Sequence, residues 1–165
     1  MKLSELFLEE LKREAANTRR ILAAVPLEKG DFKPHEKSFS LKMLATHVAE
    51  INGWWKETLL QDELDFSKGD HKPVIINSTE DLLAYHDRLV TNAEKILSEI
   101  SEEEFAKPWT MRNGEQIYFT SPKGTVARTW CFNHLYHHRA QLTVYLRLLD
   151  VPVPGTYGPS ADTQG

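Results

Sequence analysis

Apolar residues recur along this chain at intervals of three and four, the spacing that places side chains on one face of a helix. Four stretches carry the pattern. In the first, about residues 3 to 25, Leu3, Leu6, Phe7, Leu11, Ile21 and Leu22 trace one face, with the small residues Ala15 and Thr18 in its middle. Pro26 ends it. In the second, about residues 41 to 60, Leu44, His47, Val48, Ile51 and Trp55 share the buried side, and Ser38 or Ser40 supplies the N-cap. The third, about residues 80 to 100, is capped by Ser78 or Thr79 and presents Leu82, His86, Leu89, Ala93, Ile96 and Ile100. The fourth, about residues 123 to 149, begins near Pro122 and aligns Ala127, Cys131, His134, His138, Leu142, Tyr145 and Leu149.

The intervening segments read differently. QDELDFSKGDHKPV is a polar connection broken by Gly69 and Pro73. SEEEFAKPWT adds a short turn after the third helix. In MRNGEQIYFT, Asn113-Gly114 is a turn signal between residues able to extend, which predicts a small irregular hairpin or a long loop before the last helix. The closing VPVPGTYGPSADTQG is too rich in proline and glycine for a long helix, and is expected to fold over the surface or across one end. The expected architecture is an all-α four-helix bundle, a single domain over residues 1–165. Its long links leave room for crossovers.

Composition narrows the function classes. With 20 basic and 24 acidic residues the formal net charge is −4, and no clustered basic face is visible for a nucleic-acid backbone. No apolar run reaches the roughly 18 residues of a membrane span. The opening MKLSELFLEELKREA lacks the apolar core of a secretory signal. The single cysteine, Cys131, excludes an internal disulfide and a cysteine-rich zinc site. A cytoplasmic protein without nucleic-acid or membrane partners is expected.

Histidine supplies the candidate chemistry. His134 and His138 lie four apart on the inward stripe of the last helix, and His47 lies between Leu44 and Ile51 on the inward stripe of the second. Imidazoles at core-facing positions cost free energy unless each nitrogen finds a partner. A divalent metal held by His47, His134 and His138 satisfies one nitrogen per ring and leaves a coordination position open. The competing reading is a set of hydrogen-bonded core histidines. His86 is also inward and reads first as a core histidine, then as a fourth ligand or substrate contact. His137 points about 100° from its neighbours, toward a rim or subunit contact. His35 and His71 fall in loops. Glu50 reads first as a solvated flank residue, then as a hydrogen-bond acceptor for His47 or a base for a metal-bound water. Asn133, Arg139 and Gln141 flank the pair, with Arg139 either drawing an anionic substrate or pairing with a surface carboxylate. Trp54, Trp55, Trp130, Tyr136 and Tyr145 are pocket candidates, of which Trp55 and Tyr145 read as core. Cys131 reads as a small buried hydrophobe rather than a soft ligand. No HExxH, phosphate loop or nucleophile elbow is present.

THVAEINGWW and NHLYHHRAQLTVYLRLLDVPVPGTYGP resemble the second-helix segment and closing signature of the DinB/YfiT-like family, with His47, His134 and His138 at its three metal positions. The first helix matches only in hydrophobic pattern. The resemblance runs nearly end to end and implies a four-helix bundle with up-down-down-up connectivity. It also implies a divalent ion, nickel or zinc, on three histidines, a homodimer, and in some relatives a thiol-dependent transferase or isomerase activity. The expected function is metal-dependent chemistry on a small molecule. In the transferase version, a low-molecular-weight thiol bound by the ion loses its proton and attacks an electrophile. A hydrolase acting through activated water, and a non-enzymatic metal-binding or stress-associated interaction protein, are the alternatives.

Overall fold

The computed structural model describes residues 2–69 and 74–163, so the loop assignment of His71 and the breaker Pro73 lie outside the described residues. Helices form where the apolar spacing places them. They are α1 (Leu3–Ala23), α2 (Leu41–Glu50), α3 (Trp54–Leu59), α4 (Thr79–Glu99), α5 (Lys123–Val126) and α6 (His134–Leu148). Two of the four expected helices are segmented. A 3₁₀ turn, Ile51–Gly53, joins α2 to α3, and a π-helical stretch, Ala127–Asn133, joins α5 to α6. The result is an all-α four-helix bundle whose members are α1, α2 with α3, α4, and α5 with α6.

Local chemistry sets the helix starts. The Ser40 hydroxyl accepts from the Met43 N–H at 3.3 Å, and the Ser78 hydroxyl accepts from the Asp81 N–H at 3.0 Å. Each cap satisfies an amide that the helix itself leaves without a partner. Helix α1 packs along α4, and α2 packs against both α4 and α6, so the first two helices are not each other's main partners. The link between α1 and α2, folded around the short 3₁₀ turn Leu27–Lys29, is long enough to permit this.

Two apolar layers fill the bundle. One gathers Leu22, Leu41, Leu44, Val48, Leu82 and Leu142 from α1, α2, α4 and α6. The other is aromatic: Phe7 meets Trp55, Phe105 and Phe132 edge to face at 5.8, 5.8 and 5.5 Å. Leu6, expected on the α1 core stripe, is exposed instead. Its neighbour Phe7 takes the inward position.

The insertion before the last helix is a hairpin with one strand more than expected. β2 (Pro108–Asn113) pairs antiparallel with β3 (Gln116–Pro122), and β1 (Glu63–Asp65) adds in parallel to β2. Asn113 pairs with Gln116, so the connecting pair is Gly114-Glu115, and Gly114 takes the positive φ of 59° that such a turn demands. Asp65 links strand to turn, accepting from the Gly114 N–H at 2.9 Å and the Ser67 hydroxyl at 2.7 Å. Those bonds draw the Asp65 carboxyl down to about 2. The sheet packs on the bundle through Trp109 and Met111, which meet Val126 of α5.

A buried ion pair ties the last helix to the first. Arg139, expected at the surface or facing a substrate, is buried with its Nη2 2.8 Å from Glu14 Oε2. Its Nη1 donates to the Glu14 carbonyl and the Thr18 hydroxyl at 3.2 and 3.1 Å. The tail folds back over this pair: the Tyr157 hydroxyl accepts from Arg139 at 2.6 Å and donates to Glu14 at 2.8 Å. Removing one member strands the other without solvent. Glu14→Ala is therefore expected to destabilise the protein by about 3–5 kcal/mol in urea unfolding, whereas Glu14→Leu combined with Arg139→Met should recover most of the loss. A single-variant cost below about 1 kcal/mol, the scale of a solvated pair, would contradict this account.

Candidate metal centre

Helix α2 delivers His47 and helix α6 delivers His134 and His138 to one place. Each ring offers a nitrogen, and those three atoms lie within 4.8 Å of one another. His47 Nε2 and His134 Nε2 are 3.2 Å apart. The ring centroids are separated by 5.0 Å (His47–His134), 4.7 Å (His47–His138) and 4.6 Å (His134–His138). Spacing of four along α6 stacks two of the rings, and the packing of α2 against α6 supplies the third.

The environment of each ring sets its proton. Gln141 Oε1 lies 2.8 Å from His138 Nδ1. An amide oxygen only accepts, so Nδ1 holds the proton and Nε2 keeps its lone pair. Glu50 Oε2 stands 3.6 Å from His47 Nδ1 and both are half-buried, which places the carboxylate beside the nitrogen remote from the cluster. His134 is clasped edge-on by Trp54 and Trp130, each at 5.5 Å, and its Nδ1 is buried with no hydrogen-bond partner among the described residues. Burial, and then the positive charge its histidine neighbours would carry, lower His134 to about 4. Burial also lowers His138, against the opposing Gln141 bond. At neutral pH both rings are uncharged, the form that ligates a metal.

These residues fit a divalent cation. Ring nitrogens at about 2.0–2.1 Å from a tetrahedral ion stand roughly 3.3 Å from one another, close to the 3.2 Å between His47 and His134. Two Nε2 atoms at that distance either share one proton or share a cation. The ligand set is all imidazole, which suits zinc and nickel alike.

A cavity of about 360 Å³ adjoins the cluster, with His138 in its wall. Phe39, Leu44, Val144 and Tyr145 supply its apolar lining, and Ser38 and Gln141 the polar part. Phe39 stacks against His138 with centroids 6.5 Å apart. On the other flank, Trp54 stacks on Trp130 at 5.7 Å and Phe119 of β3 stacks on Trp130 at 6.1 Å, so the sheet supports the ring that supports His134.

The other candidates lie elsewhere. His86 is buried in the bundle with its Nδ1 3.0 Å from Asp87 Oδ1, outside the cluster, as a core histidine. His137 is exposed, its ring 4.8 Å from that of His138. His35 is exposed and accepts from the Lys37 N–H. Asn133 is exposed. Cys131 is buried, its thiol pushed up to about 12 by desolvation, and is no ligand. Trp55 and Tyr145 are buried core residues, and Tyr136 donates to Glu10 at 2.6 Å. The pattern of inward positions did not single out Phe39 or Val144, which lie on exposed positions where the cavity opens.

A family model described as the DinB family matches residues 1–164. The fold is similar to the crystal structure of a DinB-like protein from Bacillus cereus (TM-score 0.69, 20% identity, covering 93% of this chain and 97% of that one). It is also similar to that of a DinB-like protein from Bacillus subtilis (TM-score 0.68, 16% identity, 90% and 95%). No curated protein matches the chain.

Two expectations follow from the geometry. Gln141→Leu frees the His138 tautomer and is expected to weaken nickel or zinc binding about 10- to 100-fold in a competition titration, with an unchanged affinity counting against the assignment. In metal-free protein, unfolded imidazole titrates near 6.5 and folded His134 near 4. Between these values the unfolded chain binds more protons, so stability falls as pH drops through the window. The decline in urea midpoint from neutral pH to about pH 5 should be shallower in His134→Phe than in the natural protein. Equal declines would show that His134 does not carry it.

Proposed function

This chain belongs to the DinB family, and from that premise, with three imidazoles gathered between two of its helices, we propose that it is a metal-dependent enzyme acting on a small molecule. His47, His134 and His138 are the proposed ligands, and nickel or zinc the proposed ion. The observation that carries the reading is the cavity reaching His138. A structural ion is enclosed by protein ligands, whereas a catalytic one keeps a face open to a reactant.

The reaction proposed is transfer to a low-molecular-weight thiol. A divalent ion, when bound, supplies Lewis acidity that lowers the pKa of a coordinated thiol or water. The chain's own residues do the rest. An all-imidazole ligand set adds no negative charge to that of the ion, so the site favours an anionic reactant. Gln141 fixes the His138 tautomer, and Glu50 at 3.6 Å takes up positive charge that develops on His47. Trp54 and Trp130 keep water from the flank of His134. In this reading residues 1–165 form one domain that works as a cytoplasmic homodimer without nucleic acid or membrane. The net charge of −4 supports the absence of nucleic acid. Among the described residues no helix is long and apolar enough to cross a membrane.

Protein prepared without a histidine tag should retain nickel or zinc in elemental analysis, and His47→Ala and His138→Ala should each lose it while keeping helical circular dichroism. Metal content equal in all three proteins would refute the centre. Conjugation of a cellular thiol to an activated aryl halide should be abolished by chelator and by either variant. Chelator-sensitive ester cleavage that needs no thiol would assign hydrolysis instead.

A further inference from the structure

His138 faces two environments. It completes the imidazole cluster, and it forms part of the wall of the 360 Å³ cavity. That volume lies within the range of small-molecule sites, roughly 300–1,000 Å³. Most of the lining area is apolar, from Phe39, Leu44, Val144 and Tyr145, and among the described residues no lysine, arginine, aspartate or glutamate contributes to it. The Tyr145 hydroxyl is engaged by the Phe39 carbonyl at 3.0 Å. Gln141 Oε1 is engaged by His138, which leaves the amide N–H groups of Gln141 as donors. The hydroxyl of Ser38 is the other neutral polar group.

In the metal-free protein, a carboxylate or phosphate entering such a lining would shed water with no cationic side chain among the described lining residues to receive it, whereas an alkyl or aryl group gains by leaving water. We propose that this cavity binds the uncharged, largely apolar portion of the substrate, an aryl or alkyl group bearing at most a neutral hydrogen-bond acceptor for Gln141 or Ser38. Its reactive end then points past His138 into the imidazole cluster. The orientation rests on the cluster being the reactive centre. The selectivity for neutral over anionic groups does not, because it follows from the lining alone.

The test uses two probes with the same phenylethyl group, 2-phenylethanol and 2-phenylethanesulfonate, the second anionic and a poor metal ligand. Each is titrated into the full-length protein, as purified and after metal removal, with backbone amide resonances followed by NMR at about pH 8, above the ordinary imidazole range. The alcohol should move the Gln141 and Val144 resonances at a concentration at least about tenfold lower than the sulfonate in the metal-free form. That factor corresponds to about 1.4 kcal/mol. The gap should narrow in the metal-loaded form, where the divalent charge beside His138 draws the anion. Val144 is 57% exposed, so Val144→Lys places a cation at the mouth of a folded protein and should abolish or invert the preference. Equal or tighter binding of the sulfonate to the metal-free natural protein would overturn the proposal. So would resonances that neither probe moves, or shifts that follow protein concentration instead of ligand, which would mean a second copy covers this face. The metal-free arm keeps the outcome independent of metal content: loss of the centre with retained selectivity defeats only the metal reading.

Discussion

The Glu14–Arg139 ion pair fixes the rotation of the last helix. Residue 139 directly follows His138, and consecutive helical positions diverge by about 100°. Once the Arg139 guanidinium is committed to Glu14 and Thr18 of α1, the His138 ring must point away from α1. The neighbour on that side is α2, which carries His47. A buried ion pair is a costly way to gain stability, because both charges must leave water. Its value here is orientation. An apolar pair would tolerate a turn of the helix by a few tens of degrees, while a guanidinium with four fixed partners would not.

The two flanks of the cluster are built on different principles. Polar partners, Glu50 and Gln141, address the outer nitrogens of His47 and His138. The His134 ring is instead held by contact with the indoles of Trp54 and Trp130, and the stack continues through Phe119 into the sheet. The small β-element thus serves as a buttress. It also explains why a three-residue strand with little apolar content persists: Asp65 and Thr110 tie it to the hairpin, and the hairpin is held by Trp109 against the bundle.

Much of this was legible in the spacing of side chains. Three histidines on inward stripes predicted their meeting, because a helical stripe has one side to face and the stripes of α2 and α6 share a core. The caps were readable to within two residues, Ser38 or Ser40 and Ser78 or Thr79, and the structure uses Ser40 and Ser78. The strand β1 was not, because Glu63, Leu64 and Asp65 carry no alternation and acquire extended structure only by pairing with residues nearly fifty positions later. The π-helical stretch before His134 likewise has no local signature. Arg139 did leave one: it interrupts the buried series Leu135, Leu142 and Leu146 at helical spacing. A charge in that place demands a buried counter-charge, and Glu14 between Leu11 and Thr18 answers it.

The lone sulfhydryl of this chain sits one turn from His134, sealed beneath Phe7, Trp55 and Phe132, and stays protonated across the whole biological pH range. Nucleophilicity in sulfur belongs to the ionised form. Reagents that alkylate or oxidise cysteine therefore find nothing to attack in the native protein. The folded protein is in this way shielded from labelling by electrophiles, and its copies are not joined through this sulfur in an oxidising medium.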